Sequence, residues 1–167
     1  TEAILWIRPV KPGAVTVVVR PAGGEGEIRA AGDAVPGNDL CLALRVTGLK
    51  PATRYRYTFE KNGEELASGT FRTWMPATTP GRVVLALGSC AYNEPSTVWT
   101  RMQESGCEGI LLMGDTPYIN SYDIATIRRR HREFLHIPEL RPLLATMPVW
   151  GTWDDHDFGL NAHLGDS

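Results

Sequence analysis

The sequence predicts two architectures in succession, an all-β half followed by an α/β half, and three observations carry that reading. Up to about Trp74 the apolar residues fall in short runs rich in β-branched and aromatic side chains, separated by Gly, Pro and Asn clusters. Such runs are strands joined by turns. From Arg82 onward, apolar runs alternate with stretches of helical spacing, the pattern of parallel or mixed strands covered by helices. Between the two, residues 74–81 carry Pro76, Pro80, Gly81, Thr78 and Thr79, the composition of a connector. The expected division is residues 1–75, a linker over 76–81, and a second domain over 82–167.

In the first half, strands are expected over residues 3–8, 15–20, 41–46 and 54–59. The last of these alternates in period two, which puts Tyr55, Tyr57 and Phe59 on one face. Lys61-Asn62-Gly63-Glu64 is a hairpin turn, because Asn-Gly accepts the positive φ angles of a type I′ turn. Residues 69–73 form the closing strand. Short strands with regular turns predict a small β-sandwich. The stretch from Gly48 to Tyr57 resembles the turn and tyrosine corner of fibronectin type III domains, in which a tyrosine hydroxyl bonds back to the preceding backbone. Tyr55 or Tyr57 takes that structural role, and nothing in this half looks catalytic.

In the second half, residues 82–87 form a strand that ends in Gly88-Ser89-Cys90. Asn93 is expected to cap a helix with Pro95 in its first turn and Val98, Trp99 and Met102 as its apolar stripe, ending at Ser105-Gly106. A strand follows over 109–113. A helix spans 124–135, with Ile124, Ile127, His131, Phe134 and Leu135 at helical spacing. Pro138 opens a short third helix, and residues 147–150 are the last strand. About three strands and three helices are too few to close an ordinary α/β sheet around its own core, so the chain is expected to stop partway through this domain.

Composition narrows the function classes. The 167 residues are 43% apolar, with 17 basic and 19 acidic side chains, a net charge of −2. That balance gives no field to attract nucleic acid or anionic lipid. The basic run from Arg128 to Arg132 reads as a solvated helix face. Cys41, Cys90 and Cys107 form neither a disulfide framework nor a Cys-x-x-Cys metal motif. Cys41 and Cys107 sit among apolar residues and read as buried, whereas Cys90 lies at an exposed strand end. No stretch reaches the roughly 18 apolar residues of a membrane span, and the chain is expected to open directly in a strand, any export signal having been removed before position 1.

The chemistry collects where the second-half strands end. Gly114-Asp115-Thr116-Pro117-Tyr118 follows one strand, and Trp153-Asp154-Asp155-His156-Asp157 follows another. Asp115 by itself could be a turn or cap residue. The second motif is harder to read that way, because three like charges within four residues are unfavourable at a buried strand end unless a cation neutralises them. Trp150, Trp153 and Phe158 are expected to hold this turn against apolar surface. Cys90 adds a sulfur donor to hard carboxylate oxygens, which points to a metal site.

Gly88-Ser89-Cys90, Gly114-Asp115-x-x-Tyr118 and Trp153-Asp154-Asp155-His156-Asp157, behind a fibronectin-like domain ending in Phe71-Arg72-Thr73, resemble the alkaline phosphatase D (PhoD-like) branch of the calcineurin-like metallophosphatases. The resemblance implies a β-sandwich core flanked by helices and a two-metal hydrolase of phosphate mono- or diesters, acting on small-molecule or lipid esters and exported to the periplasm, cell envelope or medium. It implies that Cys90 and Tyr118 bind iron(III), that Asp115 bridges to calcium or another divalent metal, and that Asp155 binds that second metal. His156 is expected beside the substrate, oriented by Asp154 or Asp157, with Asn161 nearby. The family completes its site with later His and Asp ligands, and His163 stands too near His156 to replace them. A rival of another class is an accessory module whose acidic loops hold structural calcium. The sequence is silent on oligomeric state.

Overall fold

The computed structural model describes residues 1–162; residues 163–167, His163 among them, lie outside the described residues. The chain divides into two compact units, Thr1–Gly81 and Arg82–Ser167.

The first unit holds β1 (Ala3–Ile7), β2 (Gly13–Pro21), β3 (Ile28–Ala34), β4 (Leu42–Val46), β5 (Arg54–Lys61) and β6 (Glu64–Arg72). All pairings are antiparallel: β1 with β4 in one sheet, and β3-β2-β5-β6 in the other. Alternate residues of β2 (Val15, Val17, Val19) and β5 (Tyr55, Phe59) meet Leu44 and Val46 of β4 in one core. Period-two alternation is what lets a strand bury one face in this way.

The strand over residues 28–34 was not expected from the sequence. Its Ile-Arg-Ala-Ala-Gly-Asp-Ala composition has little intrinsic strand preference, and pairing with β2 supplies what propensity does not. The small residues have a packing reason. A Cβ on Gly32 would lie 3.0 Å from Leu42 Cδ1 and 3.1 Å from Leu44 Cδ2, so the leucines of β4 occupy the space a side chain would need. Likewise β6 starts earlier than expected, because residues 64–68 (Glu-Glu-Leu-Ala-Ser) are exposed and are held by backbone pairing to β5. The turn between them has the expected form, with φ of 51° at Asn62 and 83° at Gly63. Cys41 is half-buried rather than buried.

Of the two candidate corner tyrosines, the structure selects Tyr55. Its hydroxyl accepts from the Lys50 backbone N–H at 2.8 Å, and its ring stacks on Phe71 at 5.5 Å. Buried Thr73 ties down the same turn, donating to the Lys50 carbonyl at 2.6 Å and accepting from Thr53 N at 2.9 Å.

The second unit holds β7 (Leu85–Gly88), α1 (Thr97–Glu104), β8 (Gly109–Met113), α2 (Ile124–Leu135), α3 (Arg141–Thr146) and β9 (Val149–Thr152). The strands are parallel in the order β7-β8-β9. One sheet face, carrying Ala86, Ile110 and Leu112, packs on Trp99 of α1, Phe134 of α2 and Leu143 of α3. The other face leaves Leu85, Leu87, Met113 and Trp150 between 42% and 57% exposed. Parallel sheets are ordinarily covered on both faces.

Four local expectations are corrected. Ser96, not Asn93, caps α1: its Oγ accepts from Val98 N, and Pro95 precedes the helix. Asn93 instead donates to the Arg130 carbonyl of α2 at 3.1 Å. The third helix opens at Arg141, with residues 138–140 forming a turn ahead of it, and β9 opens at Val149 rather than 147. Ile124, read as part of the apolar stripe, is 59% exposed at the first turn of α2, while Phe134 carries the packing.

Replacing Tyr55 by Phe removes one hydrogen bond and strands the Lys50 N–H, which should cost about 1 to 2 kcal/mol of first-unit stability. Denaturant unfolding of the Tyr55→Phe variant measures it, and a loss within experimental error would mean that the corner contributes nothing.

Candidate metal centre

Because β7, β8 and β9 run parallel, their carboxyl ends share one edge of the sheet, where side chains from separate loops can converge. Cys90 follows β7, Asp115 to Tyr118 follow β8, and a 3-10 turn, Asp155–Asp157, follows β9. Backbone hydrogen bonds sew these loops together. Cys90 N donates to Gly114 O at 3.2 Å, Ala91 N to Asp115 O at 2.9 Å, Tyr118 N to Ala91 O at 3.3 Å, and Ile119 N to His156 O at 2.9 Å.

The strongest stitch is Asp157, 4% exposed. Its carboxylate accepts from the backbone N–H groups of Asp115, Thr116 and Asp154, each at 2.8 Å. Each such bond to a charged acceptor is worth about 1.5 to 3 kcal/mol. The same carboxylate completes a capping box on the 3-10 turn, in which Asp154 Oδ1 accepts from Asp155 N at 2.9 Å. One side chain therefore fixes the spacing between the loop of Asp115 and the loop of Asp155 and His156.

Turning three chains sharply at one edge takes left-handed backbone. Cys90, Asp115 and Asn120 have φ of 56°, 52° and 54°. Gly114 has φ of 88°, and a Cβ there would come within 2.6 Å of Asp154 Cβ, so only glycine fits. Non-glycine residues in this region carry a conformational cost that concentrates at functional sites.

The side chains meet. Asp115 is 7% exposed, with its Oδ2 3.8 Å from Cys90 Sγ and its Oδ1 buried without a hydrogen-bond partner among the described residues. One ligating atom each from Asp115, Asp155 and His156 lies within 4.8 Å of the others. Cys90 and Asp115 beside the Tyr118 hydroxyl push its pKa up from the ordinary phenol value, hydrogen bonding to Cys90 contributing most. If Cys90 and Asp115 were both ionised at 3.8 Å, their repulsion would be on the order of 4 kcal/mol at an effective dielectric of about 20. A cation would reverse that sign, so an orphaned carboxylate oxygen beside a thiol and a phenol fits a metal ion as the missing partner.

Other expected residues fall differently. His156 is oriented by neither Asp154 nor Asp157: its Nδ1 pairs with Asn120 Oδ1, a residue that the sequence reading missed. The other ring nitrogen, Nε2, lies 4.0 Å from Asp155 Oδ1. Asp155 accepts from His156 N at 2.9 Å and from Ala162 N. Asn161 is exposed in the turn that follows. The expected aromatic pinning is weaker than foreseen, since Trp153 is 65% exposed and touches Phe158 and His131 only at ring distances near 6 Å. Burial of the Asp157 carboxylate, not tryptophan packing, holds the turn.

His131 of α2 was also missed. Its ring bonds to the Asp157 backbone, and burial pushes its pKa below the ordinary imidazole value, with the nearby Asp157 charge opposing.

No protein-family model and no curated protein matches the chain. Among solved structures, it superimposes on PhoD with a TM-score of 0.84 and 19% identity, covering 99% of this chain and 40% of that one. It superimposes on a purple acid phosphatase from yellow lupin (Lupinus luteus) seeds with a TM-score of 0.63 and 13% identity, covering 93% and 33%. The likeness to PhoD read from the three motifs is thus present in the fold, over well under half the length of either neighbour.

Two outcomes follow from this geometry. Asp157→Asn keeps the shape but turns an N–H toward N–H donors, and should lower stability by about 2 to 3 kcal/mol in denaturant unfolding; a loss below about 0.5 kcal/mol would show that the carboxylate does not hold the loops. Because the folded state depresses the His131 pKa, its contribution is intact above about pH 6.5 and is lost as pH falls through that value toward the folded one. His131→Gln should flatten this part of the stability profile, and an unaltered profile would remove His131 as its source.

Proposed function

We propose that the second unit carries part of a dinuclear metal site that hydrolyses phosphate mono- or diesters, and that the first unit is fibronectin III-like. The observation that carries this reading is the convergence of Cys90, Asp115, Tyr118, Asp155 and His156 from three strand ends, with Asp115 Oδ1 buried and unpartnered. The PhoD-like fold supports it. In this reading Cys90 and Tyr118 would hold iron(III), Asp115 would bridge to calcium or another divalent ion, and Asp155 would hold that second ion. Thiolate and phenolate suit a trivalent iron, while carboxylates suit a hard divalent ion. Such a pair, when bound, supplies Lewis-acid neutralisation of phosphoryl oxygens and activates water for attack on phosphorus.

The chain's own residues have definable work. Asp157 holds the two acidic loops at fixed spacing, so the donor atoms need little rearrangement on binding. Asn120 fixes the His156 ring through Nδ1, which leaves Nε2, when protonated, to donate to a phosphoryl oxygen or to the departing alkoxide. Asp154 and Asp157 act on the backbone rather than on substrate. A purely structural calcium site is the less economical reading, since it leaves the thiol and the phenol without a reason to be there. Export to the cell envelope or medium belongs to the same proposal. No helix among the described residues is long and apolar enough to cross a membrane.

Asp115→Asn in the full-length protein should abolish hydrolysis of p-nitrophenyl phosphate and bis-p-nitrophenyl phosphate, by about 100-fold or more, and lower metal content with the β-sheet unit still folded. Tyr118→Phe should remove the visible tyrosinate-to-iron band. Unchanged turnover and metal content in Asp115→Asn would take the bridging role away from Asp115.

A further inference from the structure

Beside the cluster, and sharing Tyr118 and Asn120 with it, lies an open cleft of about 500 Å³. Arg129 and Arg130 of α2 line one part of it, and Tyr92 and Asn93, from the loop after β7, line another. Tyr118 is the partition. Its ring lies 4.6 Å from the His156 ring on the site side and stacks on Tyr92 at 4.8 Å.

The polar groups of this cleft are incompletely matched. Arg129 Nη1 lies 2.7 Å from Glu133 Oε1 and Arg130 Nη1 lies 3.6 Å from Glu133 Oε2, so two guanidiniums share one carboxylate. Arg130 Nε and Asn93 Oδ1 are buried without hydrogen-bond partners among the described residues. Asn93 itself is fixed, since its Nδ2 donates to Arg130 O at 3.1 Å and to Glu133 Oε2 at 3.4 Å. The acid that lines the cleft, Glu94, is exposed. A buried, unused arginine donor is costly to keep unless something accepts from it. Two adjacent guanidinium forks offer more donors than the two oxygens of a carboxylate can take, and match the three free oxygens of a phosphate monoester.

We propose that this cleft receives a second phosphate group of the substrate, carried beyond the ester that reacts and held by Arg129 and Arg130. The inference rests on the phosphoesterase reading for which phosphate reacts, but not for whether the cleft binds an anion. It makes the preferred substrate a compound with two phosphate groups, with Tyr92 presenting a ring face to whatever joins them.

Two arms separate the subsite from the reaction, both on the full-length protein. In the first, metal-free protein in chelator is titrated calorimetrically with thymidine 5′-monophosphate and with thymidine. The monophosphate should bind about tenfold tighter, and Arg129→Gln and Arg130→Gln should each erase most of that difference. Glu133→Gln breaks the same helix ion pairs while sparing both cations, and should keep the preference. In the second arm, the metal-loaded protein hydrolyses the 5′-p-nitrophenyl phosphate ester of thymidine with and without a 3′-phosphate. The 3′-phosphorylated ester should have the higher kcat/KM, with the two arginine variants unchanged on p-nitrophenyl phosphate. Equal binding of the nucleotide and the nucleoside, or loss of preference in Glu133→Gln as well, overturns the subsite. A binding preference that depends on both arginines, without hydrolysis of any ester, upholds the subsite and overturns the hydrolase reading.

Discussion

The Asp157 carboxylate is the constraint on which the second unit's chemistry depends. A buried anion that accepts from three backbone N–H groups is both anchored and anchoring. Those N–H groups belong to the loop after β8 and to the entry of the 3-10 turn, so losing the carboxylate would leave several buried donors unpaired at once. At 4% exposure the group leaves water little room to replace the lost acceptor. Asp157 therefore converts two flexible strand ends into one rigid edge, and the donors of the candidate centre inherit that rigidity.

The rigidity has a steric counterpart. Asp115 can approach the 3-10 turn only because Gly114 has no Cβ to strike Asp154, and because Cys90, Asp115 and Asn120 accept left-handed backbone. Each of these conformations is unfavourable alone. They persist because hydrogen bonds from Cys90 N, Ala91 N and Tyr118 N cross-link the loops that adopt them. Strain and stitching thus support each other, and the acidic side chains are held closer than they would lie in free loops.

Much of this was legible in the sequence, for reasons that can be located. The α2 boundaries, the β8 strand and the Asn62-Gly63 turn follow from periodicity and turn chemistry that tertiary context reinforces. The β3 strand was illegible because its small residues answer to Leu42 and Leu44 on another strand, which no local window contains. Asn93 was misread because a capping residue and a residue bonded to a distant carbonyl look alike in one dimension. At the site, Cys90, Asp115, Tyr118, Asp155 and His156 stood out by chemical type and by position at strand ends. Asn120 and His131 did not, since what marks them is a partner on another loop, His156 for one and the Asp157 backbone for the other.

The uncovered sheet face and the donor cluster are linked by the same geometry. The strands that leave Leu85, Leu87, Met113 and Trp150 exposed also carry the loops that present the cluster, so anything covering that face would end close to the donors. At about 25 cal/mol per Å² of apolar surface removed from water, covering such a face is a strong stabilising contribution. The same three strands therefore serve two ends, a face packed on the helices and an edge of loops, and Asp157 holds the geometry of the second.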